Sequence, residues 1–327
     1  MTHLVAAAVF AIFLATGSAQ SDTPIAEVAQ LRMYSSFWEN LHHFLYVAAW
    51  ARRTSIPVTQ RLAMPLPQEP APSLTAAEQA AWAEAVDFYD RTIASRDLLF
   101  DDELTRIKIA LGEAGDTLDG APIAEPLRAI LLQAAPIYRK YWWDAHDAAN
   151  RAWIEQVSRQ TSPLAESIID RITRLYRVKW FTSPVRVDVV RVGKSLGAYT
   201  SVNPTPHIVV ASGDSSYAGW SGTEMLFHES SHALIFDTRR AIDSAVRSAG
   251  KNPRDLWHVV LFYVAGEVTR QQLGAQNINY VPYLYANGLF DSAWPAYRDP
   301  IEQQVRPFVD GRITYEEMAA NLARALR

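Results

Sequence analysis

His228-Glu229-Ser230-Ser231-His232 constrains this chain more than any other stretch. It reads H-E-x-x-H and sits between two apolar runs, Met225-Leu226-Phe227 and Ala233-Leu234-Ile235-Phe236. A helix that is apolar nearly all round is a buried helix. Positions i and i+4 share one helix face, about 6 Å apart along the axis. The spacing therefore puts two imidazoles and a carboxylate together in a core. Burying them without partners costs several kcal/mol. A divalent metal removes much of that cost, because neutral imidazoles become ligands. The glutamate beside the first histidine is then placed to take a proton from a water on the metal's open side. Ser221 and Glu224 read as a capping box, S-x-x-E, that would start the helix.

The remaining composition narrows the choices. With 327 residues, 49% of them hydrophobic, the chain can bury a sizeable core in two lobes. A net charge of −4, with no basic stripe, argues against nucleic acid as a partner. There is no cysteine, which excludes disulfides and thiolate zinc sites. Leu4 to Ala15 is an apolar run too short for a comfortable membrane span, and Gly17-Ser18-Ala19 offers small residues for cleavage after Ala19. Residues 1–19 thus read as a secretory signal, although no Lys or Arg follows Met1, so retention as an anchor is the alternative. The expected location is the periplasm or the exterior, with no stable membrane span once the signal is removed.

Along the chain, residues 24–53, 74–113 and 127–178 carry helical periodicity, the last split near Thr161-Ser162-Pro163 with a possible kink at Pro136. A proline-rich connector runs from Pro57 to Pro72. Near Ser183-Pro184 the pattern changes. Val185 to Val192 alternates with period two, and Ala198–Val202 and His207–Ala211 read as two further strands. The motif helix follows, and then more helix, broken by a tyrosine-rich loop from Asn277 to Asn287. The expected fold class is α+β and predominantly helical. It divides into a helical domain over residues 20–183 and a domain over 184–327 that carries the strands and the motif helix.

The motif and this element order resemble the zincin metallopeptidases, over about residues 185–290 and most firmly at the five motif residues. The resemblance implies an exported enzyme that hydrolyses peptide bonds in a peptide or protein substrate. It implies Zn²⁺ held by His228 and His232, with Glu229 as general base. A third protein ligand must be His, Asp or Glu. In the glutamate-ligand branch it is a Glu on a separate downstream helix, which points to Glu267 on the stretch Asp255–Gln272; that branch often has Asp where this chain has Gln271. Asp237 lies about 140° round the helix from His232, and His258 falls half a turn from Glu267 on a straight helix. Gly266 would let another helix come close. Family members often stabilise the oxyanion with Tyr or His, which points to Tyr283, with Tyr280 and Tyr285 beside it in the loop. The strand His207–Ala211 would be the sheet edge that pairs with extended peptide. Two rivals stand beside this reading. One is a non-catalytic binding or scaffold protein of zincin fold with a structural metal; the other is a helical interaction module with an accidental motif.

Overall fold

The computed structural model describes residues 23–52, 72–193 and 197–326. The expected signal and nearly all of the proline-rich connector lie outside the described residues. The chain is α+β with helix predominating. It opens with a hairpin, β1 (Ala26–Val28) and β2 (Leu31–Tyr34), where the periodicity had predicted helix. Both turn residues, Ala29 and Gln30, have positive φ. Tight hairpin turns need that conformation and usually advertise it with Asn-Gly. Here Ala-Gln gives no such signal, and the strands are too short to show alternation.

Helices α1 (Phe37–Arg52), α2 (Ala76–Thr92), α3 (Asp102–Glu113) and α4 (Glu125–Tyr138) follow. Pro136 sits inside α4, and a wide π-type turn, Arg139–Trp143, leads directly into α5 (Asp144–Thr161). A proline has no N–H to give, and a π-type turn is one way a helix absorbs an irregular hydrogen-bond ladder. Helix α6 (Ala165–Tyr176) then leads to β3 (Val185–Val190), β4 (Ala198–Ser201) and β5 (His207–Ala211). These are the three strands that the alternating pattern marks. The motif helix α7 (Trp220–Ser231), α8 (Phe236–Ser248) and α9 (Leu256–Ala275) come next, and short helical turns lead to α10 (Tyr315–Ala325).

The sheet order is β1-β2-β3-β5-β4, with β2, β3 and β5 parallel and β1 and β4 antiparallel to their neighbours. Both faces are covered, so the central strands are apolar on both sides. Val190, Tyr199, Val209 and Ala211 face one core with Leu41, Leu45, Leu111 and Leu131 of α1, α3 and α4. Val187, Val189, Ile208 and Val210 face the other, with Ile154 of α5, Ile168 of α6, Leu226 of α7 and Val260 of α9. The expected division at residue 183 is therefore not a division of the core. Strand β2 pairs with β3 across it, and α5 and α6 pack with the motif helices.

A layer of buried polar groups lies between the sheet and α1–α3. Asp188 of β3 accepts from Arg186 Nε at 2.6 Å and meets His207 Nε2 at 2.7 Å. His43 Nε2 lies 2.9 Å from the Tyr199 hydroxyl. Burial holds the His43 and His207 rings down at about 4, so both are neutral in the fold at pH 6. An unfolded chain would protonate them between pH 6.5 and 4 and so bind more protons than the native state. Stability should therefore fall as pH drops through that window, by up to about 3 kcal/mol per ring. Urea midpoints at pH 7 and 4.5 check this. The acid loss should shrink in a His43→Gln/His207→Gln variant, and an unchanged loss would remove these rings as its cause.

Candidate metal centre

Helix α7 starts at Trp220 with Gly219 as its cap and no side-chain cap bond. The capping box expected of Ser221 and Glu224 is absent because Glu224 is turned inward and fully buried. Its Oε2 accepts from the Tyr280 hydroxyl at 2.6 Å and from the Tyr283 N–H at 2.9 Å. The helix ends at the second motif histidine: His232 is the C-cap, and its N–H bonds back to Glu229 O at 3.2 Å. The chain then turns before α8, so Ala233–Ile235 do not continue the motif helix.

His228, His232 and His258 converge. One ligand atom from each lies within 4.8 Å of the others. Ring centroids are 5.1 Å apart for His228–His232, 5.3 Å for His228–His258 and 5.1 Å for His232–His258. The Nε2 atoms of His228 and His258 stand 3.4 Å apart. A tetrahedral zinc with Zn–N near 2.0–2.1 Å holds neighbouring nitrogens about 3.3–3.4 Å apart, so this pair already has the separation a shared ion requires. Burial depresses all three rings: His228 well below the ordinary value, His232 to about 3 and His258 to about 4. Each is a neutral imidazole with a lone pair to give. Phe262 packs against the His228 ring at 3.8 Å between centroids, and Trp257 and Trp294 stand beside His258 at 5.2 and 5.8 Å. The donor set suits a borderline metal such as zinc, though imidazole serves several metals.

Glu229 is 3% exposed. Its Oε2 accepts from Thr200 Oγ1 at 2.7 Å and stands 4.0 Å from His232 Nε2. Thr200 Oγ1 also reaches the Glu229 carbonyl at 3.0 Å, so one hydroxyl of β4 holds this residue at two points. Burial pushes the carboxyl up to about 7, against the pull of Thr200 and Lys108. A cavity of about 480 Å³ opens beside the histidines, lined by Phe100, Thr200, Ser201, His232, Trp257 and His258 among others. It lies between the α2–α3 region and the motif helices.

The structure does not bring Glu267 to the histidine pair. Its carboxylate is held by Arg270, with Nη2 donating at 2.6 Å. His258 and Glu267 are nine residues apart on the single helix α9. Nine residues turn about 900°, so a helix that presents one of them to α7 turns the other away. Asp237 is bound to Arg240 on the outside of α8. Tyr283 is not among the cavity's lining residues. Its hydroxyl lies 3.1 Å from Ser216 Oγ, and its ring stacks on Phe262, with centroids 6.0 Å apart. The Tyr280 and Tyr285 hydroxyls are taken by Glu224 and Glu302. Strand β5 is interior, and β4 is the sheet edge at the site. Every residue of β4 is buried, but Thr200 and Ser201 line the cavity, so the strand at the site is β4 and not β5.

Gly266 does what its position predicts. A Cβ there would stand 2.7 Å from Pro282 Cβ and 3.0 Å from Glu224 Oε1. Alanine ordinarily gains about 1 kcal/mol over glycine inside a helix. Overpacking costs about 1–3 kcal/mol and should win here. Gly266→Ala is thus expected to lower the melting temperature, whereas an open site would raise it.

Thr200 and Lys108 are the residues that pattern reading passes over, and His258 is one that the resemblance sets behind Glu267. Only His258 carried a usable signal, a histidine near the start of the helix after α8. No protein-family model, no curated protein and no solved structure matches the chain.

Proposed function

We propose that the protein is a metal-dependent hydrolase of peptide bonds, with zinc as its metal. The observation that carries this reading is the convergence of three neutral imidazoles beside a buried glutamate, with His232 and His258 in the wall of a cavity. His228, His232 and His258 would hold the ion, which replaces the ligand set His228, His232 and Glu267 that the zincin resemblance implies. A bound zinc supplies Lewis acidity and lowers the pKa of water at its open position. The chain's own residues do the rest. The Glu229 carboxylate, fixed by Thr200, accepts a proton from the attacking water and later gives it to the leaving amine. The cavity between the two helical layers takes the substrate, and the aromatic wall of Phe262, Trp257 and Trp294 keeps bulk water from the rings. Three protein ligands with an open side favour a catalytic over a purely structural site.

Purified protein, dialysed and then analysed for metals, should carry about one zinc per chain. It should cleave a mixed peptide library, lose that activity to a chelator and regain it with zinc. Protein without metal, or hydrolysis indifferent to chelation, overturns the proposal; zinc without hydrolysis leaves the scaffold reading. Export to the periplasm or beyond is part of the same proposal, supported by the apolar run Leu4–Ala15. Among the described residues no helix is long and apolar enough to cross a membrane. Intact mass should place the mature N terminus at Gln20.

A further inference from the structure

Lys108 is an anomaly on the far face of β4. It comes from α3, is 1% exposed, and forms no ion pair among the described residues. Its Nζ bonds Ser201 Oγ at 2.8 Å and the His207 carbonyl at 3.2 Å, with the Tyr199 ring 4.7 Å below. The carboxylates of Glu39, Asp188 and Glu229 act on it from beyond contact. A buried amine without a counter-ion is costly to keep charged. Ser201, its partner, lines the cavity. Side chains alternate along a strand, so Thr200 holds Glu229 on one face of β4 while Ser201 meets Lys108 on the other. The cleft reaches both.

We propose that Ser201 and Lys108 form a second catalytic pair, a serine nucleophile with a lysine base, that accepts acyl groups from esters or amides entering this cleft. Serine with a lysine base recurs on unrelated folds, and a nucleophile–base separation of about 2.6–3.2 Å is the geometric requirement. Neutral Lys108 takes the Ser201 hydroxyl proton as Oγ bonds to the acyl carbon. The bond from that carbon to the leaving nitrogen or oxygen breaks, and the leaving group takes the proton from Lys108. Water then hydrolyses the ester and restores the serine. None of this uses a metal, so the proposal stands apart from the function above.

A fluorophosphonate probe tests it, because it phosphonylates an activated serine with loss of fluoride. The probe is applied at pH 9 to the full chain and to a His228→Ala/His232→Ala variant, and the labelled residue is found by peptide mass spectrometry. Label is expected on Ser201 in both proteins. It should vanish in Ser201→Ala and fall by about 100-fold or more in Lys108→Met. Lys108→Arg separates the base from a strut. Arginine can donate both hydrogen bonds but stays protonated, so a folded Lys108→Arg protein should leave Ser201 unlabelled, and Lys108→Met gives the same reading without burying a fixed charge. No label on Ser201 in the unmodified chain overturns the proposal, as does label that persists undiminished in Lys108→Arg.

Discussion

His258→Ala should strip the metal, and Glu267→Ala should not. With two imidazoles left, the ion keeps an incomplete protein shell, and zinc affinity should fall by orders of magnitude. Glu267→Ala instead breaks a bond to Arg270 on the same helix, a pair in which the carboxylate is buried and the guanidinium partly exposed, and it takes no group from the histidine cluster. Zinc affinity measured by competition with a chromogenic chelator in one buffer compares the two directly, with Asp237→Ala as a third arm. Metal lost from Glu267→Ala and retained in His258→Ala would restore the glutamate as ligand and discard the three-histidine set.

Glu229→Gln should leave metal and fold in place and cut peptide hydrolysis by about 10²–10⁴. The amide is nearly the same shape and can still accept from Thr200 Oγ1, so the contact at 2.7 Å survives. What it cannot do is take a proton. Thr200→Val probes the same residue from outside: it removes both contacts to Glu229 and should lower kcat more than it changes KM. A zinc-loaded Glu229→Gln protein with full activity would rule out the carboxylate as the base.

How much of this could be read from residues alone differs from element to element. Strands β3, β4 and β5 announced themselves because Val185–Val190 alternates and turn residues bound the other two. The hairpin β1–β2 did not, because its turn uses Ala29 and Gln30 in a conformation neither favours. The motif residues were legible because their spacing is a local property of one helix. The third histidine of the cluster was not. Helix geometry established that His258 and Glu267 face opposite ways, but only the packing of α9 on α7 decides which faces the motif histidines. That packing turns on Gly266 meeting Glu224, a contact between residues 42 positions apart. Thr200 and Lys108 were invisible for the same reason: each acts on a partner distant in sequence.

The parallel pairing of β2 with β3 sets Leu31 beside Val185. More than half the chain must be made before that contact can form, and loop closure of this length is slow to nucleate. The part from residue 184 onward holds all three histidines of the cluster, yet it shares its core with α5 and α6 and its sheet with β2. Expressed alone, it would present β3 as a bare edge of Val185, Val187 and Val189, and such edges recruit other chains. A truncation meant to isolate the metal centre should therefore yield aggregate, whereas adding residues 23–34 back as a separate peptide would cap the edge by strand complementation.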